Sequence, residues 1–303
     1  MTAPEAPATA PDTAMQLEET LKAQLKDRGA SPIILSIGAR GSGKSFHMLS
    51  MLMWCLDNRC YDKYHCVLPT WSYEQHDSYA FMKDKKHVDK IFVYEKWKST
   101  LPEAILKRKE TADSSRILLI IDDAGAASDR DPSLKGDQKK INSFHDDPYL
   151  PALLSVARHK QGLSCWIGFH SLASADTLSV FLRQQVTWVW QYRISNSKLL
   201  EQVYLEQLSL SLDGQSDGDA PGSGFRKFRG QFYEHTKGKY SGSPPVLAPT
   251  YNGIAIETAN GAIDFGLREW FLKEKEKLKK LVGGKKRKRE EEEEDLSGYV
   301  TGM

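Results

Sequence analysis

The hydrophobic residues of this chain form short apolar runs that alternate with segments of helical spacing. The runs are rich in Ile, Val and aromatic residues and too short for buried helices, which is typical of strands. The predicted strands are 32–38, 64–68, 90–95, 116–122, 163–169 and 186–192, and the predicted helices lie near 46–56, 100–110, 149–160, 174–184 and 197–208. Strands that are apolar on both faces and alternate with helices indicate an α/β fold, a mainly parallel sheet with helices on both faces.

An amphipathic helix is predicted before the first strand, over 13–29. Its start is expected at a capping box formed by Thr13 and Gln16, and its end at Gly29. We expect it to pack on the domain that follows or on a neighbouring subunit. Its apolar face consists of Leu17, Leu21 and Leu25.

The second half of the chain is less regular. Residues 209–224 have the composition of a loop, and 251–265 suggest a hairpin closed by Asn260 and Gly261. Between them, 225–240 interleave aromatic residues with cations. This stretch fits an edge strand with a solvated face or, alternatively, a nucleic-acid contact.

Composition narrows the class of protein. The chain has 303 residues, of which 40% are hydrophobic, enough for a sizeable core. Charged residues make up 27%, and no apolar run approaches the ~18 residues of a spanning helix, so a membrane-embedded protein is not expected. The N-terminus does not resemble a secretory signal, and the four cysteines lack metal-ligand spacing. We therefore expect action inside a cell.

The strongest chemical motif lies between the first predicted strand and the helix 46–56. It matches the phosphate-binding pattern G-x-x-x-x-G-K-[ST] in the strand-to-helix setting that the pattern requires. Glycines let backbone N–H groups turn inward around phosphates, and the helix N-terminus adds the positive end of its dipole. Lys44 is expected to reach the β- and γ-phosphates, and the Ser45 hydroxyl to bind Mg²⁺. The predicted nucleotide contacts are Gly38, Ala39, Arg40, Gly41, Ser42, Gly43, Lys44 and Ser45.

Two adjacent carboxylates end the predicted strand 116–122. Acids at the end of a buried strand are costly unless a cation or a polar network receives them, and Mg²⁺ is the simplest receiver. We predict that Asp122 binds the metal, directly or through water, and that Asp123 orients and polarises the attacking water. The alternative is an ordinary strand-to-loop turn that carries two acids.

Several classes of P-loop protein share these two motifs. GTP is disfavoured, because the D-x-x-G at 122–125 is followed by no N-K-x-D motif. A small-molecule kinase usually has no extra strand between the motifs, whereas here the strand 90–95 lies between 64–68 and the acidic strand. An extra strand is typical of the additional-strand branch of P-loop ATPases, so we predict ATP hydrolysis coupled to movement.

Four segments together resemble the genome-packaging ATPases of large eukaryotic DNA viruses and virophages, the poxvirus type within the FtsK–HerA superfamily. They are IGARGSGKS, LLIIDDAG, SVARHKQGLSCWIGFHS and FLRQQVTWVWQYR, and the resemblance covers about 31–208. It implies a P-loop domain that forms a homo-oligomeric ring and uses ATP and Mg²⁺. Such a ring moves double-stranded DNA into a preformed capsid, with a capsid or portal protein as partner and no membrane insertion.

The resemblance also implies roles for single residues. Arg158 matches the arginine finger that acts on the γ-phosphate of the neighbouring subunit, with a helix-surface salt bridge as the alternative, and Arg183 is the second candidate. His170 takes the sensor position, where the family usually has Gln, and its charge could change near pH 6.5. Asp123 stands where the wider superfamily usually has Glu, which could slow hydrolysis.

These predictions divide the chain into four parts. A disordered tail 1–12 and the helix 13–29 precede an ATPase domain 30–272, which has a core 31–208 and an extension 209–272. A charged helix and tail, 273–303, follow. The two alternatives to a packaging motor are an assembly or export ATPase and a nucleotide-gated ring that does not hydrolyse efficiently.

The charged tail contains the basic cluster 285–289, which is followed directly by the acidic run 290–295. A solvated tail, a nuclear-localisation signal and a DNA- or capsid-binding arm all fit this composition. We accordingly expect the protein in the cytoplasm or nucleus of an infected host cell, or with the virion.

Overall fold

The computed structural model describes residues 11–39, 41–68, 77–97, 100–110, 115–123, 147, 149–159, 162–169, 183–194, 197–208, 223–236, 239–241, 246–248 and 252–281. Its main sheet has eight strands in the order β10-β9-β6-β1-β5-β4-β2-β3. The strands from β1 to β6 pair in parallel, and β9 and β10 add an antiparallel edge. The strands of this sheet are β1 (Ile33–Ile37), β2 (Lys63–Val67), β3 (Ile91–Tyr94), β4 (Ile117–Ile121), β5 (Leu163–Phe169), β6 (Trp188–Tyr192), β9 (Gly253–Glu257) and β10 (Ala262–Asp264). A separate pair is formed by β7 (Lys239–Ser241) and β8 (Val246–Ala248).

Helices cover both faces of the sheet, because alternate residues of each buried strand point to opposite sides. The helices are α1 (Pro11–Lys26), α2 (Lys44–Asp57), α3 (Thr100–Glu110), α4 (Leu150–His159), α5 (Ser197–Gln207), α6 (Ser223–Thr236) and α7 (272–281), with 3-10 turns at Asp77–Lys83 and Leu267–Glu269. Leu35 belongs to the apolar cluster on the face of α3 to α6. Its neighbour Ile34 belongs to the cluster on the face of α1, α2 and α7.

The sequence-based prediction of an α/β fold is confirmed, and each of the six predicted strands corresponds to a strand of the sheet. The hairpin at 251–265 is confirmed as β9 and β10, and Gly261 adopts the left-handed φ of 67° that its tight turn requires. Of the predicted helix 174–184 only the last two residues fall within the described part of the chain.

The strand order places one strand, β5, between β1 and β4. This is the additional-strand arrangement predicted from the sequence, but the strand that creates it is β5. The strand 90–95, on which that prediction was based, is β3 at the far edge of the sheet. The order of strands along a chain does not fix their order in a parallel sheet, because helical crossovers can skip positions.

The amphipathic N-terminal helix packs on the domain that follows it, with all three predicted leucines buried. It begins at Pro11, so Thr13 lies inside the helix and the predicted capping box is wrong as its start. Its end is held by Arg116, whose guanidinium donates to the carbonyl oxygens of Leu25, Lys26 and Asp27 at 2.9, 3.0 and 2.9 Å. These carbonyls have no partner within a helix that stops here.

The prediction of an edge strand over 225–240 is wrong for most of that stretch, because residues 223–236 form α6. Its apolar residues recur at three and four positions, which puts them on one face of a helix. Phe228 and Phe232 are buried against the core, and Phe228 packs on Tyr204 of α5. The helix therefore presents its cations to solvent.

Candidate nucleotide-binding site

The loop from β1 to α2 forms a tight backbone cradle. A Cβ at Gly38 would lie 2.5 Å from the Tyr192 Cβ, so only glycine fits where the loop leaves the sheet. Gly41 and Gly43 have φ values of 74° and 97°, which favour glycine. Gly43 begins α2, and no side chain in the described part of the chain caps it. The first N–H groups of the helix are thus available to an anion. Arg40, a predicted contact, lies outside the described residues.

Lys44 folds back over this loop. Its ammonium donates to the carbonyl oxygens of Gly38 and Ala39 at 2.6 and 3.1 Å, and its side chain is buried. Burial lowers the pKa of Lys44 to about 8, although the charges of Asp122 and Asp123 oppose the shift. A lysine held over this loop, beside the N-terminus of α2, is placed to bind a phosphate that enters the cradle.

The acidic pair lies two strands away, at the end of β4. Asp122 is buried, and it accepts a hydrogen bond from the Ser45 side chain; burial raises the pKa of its carboxyl group. A Cβ at Gly168 in β5 would lie 2.8 Å from the Trp166 ring and 3.2 Å from the Asp122 Oδ1. Gly168 thus leaves room for the carboxylate to reach across β5 toward the loop, a role that sequence reasoning did not find.

Asp123 has a left-handed φ of 49°. This conformation costs an L-residue about 1 kcal/mol, although aspartate tolerates it better than most. Such strain persists where the surrounding structure fixes it, often at functional sites. The charge of Asp123, like that of Asp122, acts on the Lys44 ammonium, so both acids lie near the phosphate-binding loop.

The chemistry of the donor set fits Mg²⁺. The Ser45 hydroxyl and the Asp122 carboxylate are hard oxygen ligands in hydrogen-bonding contact. Mg²⁺ is usually bound by one or two protein oxygens together with substrate phosphates. No group of three or more His, Cys, Asp or Glu side chains in the described residues could hold a metal. A metal bound by Ser45 and Asp122 would complete its shell with substrate phosphates and water.

The predicted arginine and sensor residues are less completely placed. Arg158 lies in α4, but its side chain and the whole of His170 fall outside the described residues. Arg183 is buried and makes a two-pronged ion pair with Glu206 of α5, both N···O distances being 2.9 Å. This pair would have to open before Arg183 could reach a neighbouring subunit, and both finger assignments stay predictions.

A row of buried polar side chains lies behind the phosphate-binding loop and begins at Tyr192, which packs against Gly38. The Tyr192 hydroxyl lies 2.7 Å from the His47 Nδ1, and the His47 Nε2 contacts the Lys275 ammonium of α7. Burial and the nearby Lys275 charge lower the pKa of His47 well below its usual value, so its neutral ring accepts from Lys275 and donates to Tyr192. No sequence signal marked these residues, since His47 and Lys275 are 228 positions apart.

No protein-family model and no curated protein sequence matches this chain. Among solved structures, it is similar to B204, the DNA-packaging ATPase of Sulfolobus turreted icosahedral virus, with 12% identity, a TM-score of 0.48, and coverage of 78% of this chain and 96% of that one. The conjugation coupling protein TcpA has 18% identity, a TM-score of 0.43, and coverage of 58% and 52%. A KaiC-like protein of Pyrococcus horikoshii has 15% identity, a TM-score of 0.35, and coverage of 56% and 74%. At these identities and TM-scores, none of the three assigns a function to this chain.

In the part of the chain that the structure describes, no helix is both long and apolar enough to cross a bilayer.

Proposed function

We propose that this protein is an ATPase that moves double-stranded viral DNA into a preformed capsid. The observation that carries the ATPase assignment is the convergence of Lys44 and Ser45 with Asp122 across β5. The movement of DNA and its packaging rest on the resemblance of the four segments named above.

The residues of the site divide the work of phosphoryl transfer. Lys44 exchanges its loop carbonyls for the β- and γ-phosphates, and the backbone N–H groups of 41–45 bind the phosphate oxygens. Ser45 and Asp122 would hold Mg²⁺, which neutralises the charge that develops between the phosphates. Asp123 orients the attacking water and polarises its O–H bond. Electrostatic stabilisation and positioning account for most of the rate in this class of reaction.

We further propose that the protein acts as a ring in which Arg158 completes the neighbouring subunit's site. Arginine fingers raise rates by about 10³ to 10⁵. The variant Arg158→Ala should bind ATP nearly as well as wild type, hydrolyse it at least about 10³-fold more slowly, and inhibit wild-type subunits in mixed assemblies. Phosphate release measured against the mixing ratio tests this, and a strictly additive response would contradict action on a neighbour.

DNA-stimulated turnover tests the motor proposal as a whole. Phosphate release from ATP should rise several-fold when linear duplex DNA is added, and the stimulation should fall steeply with salt because grip on DNA depends on phosphate contacts. Turnover that ignores DNA would favour the assembly or export ATPase. Nucleotide binding without turnover would favour the nucleotide-gated ring.

A further inference from the structure

We propose that the outer face of α6 binds the phosphate backbone of duplex DNA. This inference rests on the proposed function and identifies a surface through which the protein would grip its substrate. The face consists of Arg226, Lys227, Arg229 and Gly230, and all four are exposed. We name this surface the α6 cationic face.

The helix is anchored so that this face must point outward. Phe228 and Phe232 are 2% and 0% exposed and pack into the main core. Near the C-terminal end of α6, the Asn252 side-chain amide donates to the His235 carbonyl oxygen at 2.9 Å. Because the buried side is fixed by aromatic packing, the cations on the other side remain in solvent.

The cations make no ion pairs with the rest of the described chain. None of Arg226, Lys227 and Arg229 pairs with a carboxylate in the described part of the chain. The Arg229 guanidinium lies over the Phe225 ring at 5.9 Å, which orients it. Glu234 is the only acid of α6 and lies one turn beyond Gly230, nearer the C-terminal end of the helix.

The position of the charges also runs against helix stability. They occupy the N-terminal half of α6, whose first turn contains no acid. The positive end of the helix dipole lies there, so cations are disfavoured and acids would stabilise. The cations and the dipole add to one positive potential, which is the arrangement that attracts a polyanion.

Gly230 supplies a second, independent observation. It follows Arg226 by four residues and Lys227 by three, so it lies on the same face as both. A Cβ at this position would meet nothing within 4 Å in the described part of the chain, and no contact there accounts for the glycine. Glycine inside a helix is unfavourable relative to alanine. A bare backbone in open space between cations instead lets a sugar-phosphate chain approach closely.

Duplex affinity of the full chain, measured by fluorescence anisotropy over a range of salt concentrations, tests the inference. The triple variant Arg226→Gln, Lys227→Gln, Arg229→Gln should lower the magnitude of the slope of log K against log salt by about 2.7, at about 0.9 per lost phosphate contact. At about 0.1 M salt, affinity should fall on the order of a hundredfold. The matched control changes three other exposed cations, Lys85→Gln, Lys86→Gln and Lys90→Gln, and should keep most of the affinity and slope.

A second pair of variants separates binding from folding. Gly230→Leu fills the gap on the α6 cationic face and should weaken duplex binding about tenfold while the melting temperature stays level or rises, since leucine favours a helix. Gln231→Leu places a leucine at the next exposed position, where a side chain of similar size already stands, and should leave affinity near wild type. If Gly230→Leu instead melts at a lower temperature and binds less only because part of it is unfolded, the role given to Gly230 is overturned.

The remaining outcomes decide against the surface or against its occupant. Equal losses in the α6 triple variant and the lysine control would mean a bulk charge effect and overturn the inference. The inference would also be overturned if a peptide of residues 290–295, or phosphatidylserine vesicles, bound through the three cations while duplex DNA did not. If wild type binds duplex and the α6 variant matches it, only this inference fails. If wild type binds no duplex at any salt concentration, the proposed function fails with it.

Discussion

Two buried lysines illustrate the difference between the P-loop and the C-terminal helix. Lys44 and Lys275 are 5% and 4% exposed, and each donates to two backbone carbonyl oxygens, those of Gly38 and Ala39 for Lys44 and those of Leu267 and Arg268 for Lys275. Burial lowers both pKa values, to about 8 and about 7. Similar surroundings would suggest similar roles.

Their remaining neighbours set the two lysines apart. Lys44 lies within the field of Asp122 and Asp123 and beside a loop whose Ala39 and Gly41 are exposed, so an incoming phosphate can take over its hydrogen bonds. When it is charged, Lys275 donates its third N–H to the buried His47, which leaves no donor for a ligand. A buried lysine therefore indicates a binding site only where its acceptors can be exchanged for those of a ligand.

The largest expected effect concerns ATP turnover. Lys44→Ala should abolish measurable hydrolysis, a loss of at least about 10³-fold, because no other side chain of the loop that the structure describes can neutralise the γ-phosphate. Lys275→Met, which keeps the length and apolar stem of the side chain, should stay within about tenfold of wild type. Phosphate release at saturating ATP measures both. Comparable losses in the two variants would remove the distinction between the lysines.

A smaller effect concerns stability against pH. Because the pKa of Lys275 is about 7 in the folded chain and near its ordinary 10.5 when unfolded, the unfolded state binds more protons between these values. Stability from this group should therefore rise with pH through that window, by up to about 1.4 kcal/mol per pH unit, while below pH 7 its penalty is constant. Glu18 and Glu269 oppose the shift, whereas Lys279 and Arg268 add to it.

Melting temperatures between about pH 7.5 and 9.5 check this expectation. Lys275→Met should flatten the rise, leaving the part that Lys44 contributes above about pH 8. Lys277→Met is the matched control, since Lys277 is half exposed and pairs with Asp57 at 2.8 Å. Its pKa is raised, mainly by that bond, so the control should keep the slope of wild type. An unchanged slope in Lys275→Met would mean that this lysine stays charged in the folded chain.

Much of the sheet was predictable because its strands are buried on both faces. The run Ile117–Ile121 has no polar residue, and such a run reads as a strand whatever surrounds it. The P-loop was equally predictable, because its phosphate-binding residues follow one another in the sequence. Gly168 was not, since the need for glycine there arises from the packing of the Trp166 ring and from the approach of Asp122 on a neighbouring strand.

The error over α6 has a different origin. Its alternation of cations and aromatics suggested a strand, yet Phe225, Phe228 and Phe232 are spaced by three and four residues. That spacing is helical, so the positions of the aromatic residues indicate a helix more reliably than the pattern of charges does. The side-chain contacts that link Lys275, His47 and Tyr192 could not be predicted, because tertiary packing alone brings these distant segments together.

The central claim is that this cradle binds and splits Mg²⁺-ATP. Its most direct test is the release of inorganic phosphate from ATP by the purified full chain, with Mg²⁺ and with the metal chelated, alongside the melting temperature at each nucleotide concentration. The account predicts steady turnover that requires Mg²⁺ and a melting temperature that rises with nucleotide. The absence of both phosphate release and a nucleotide-dependent rise in melting temperature would contradict it.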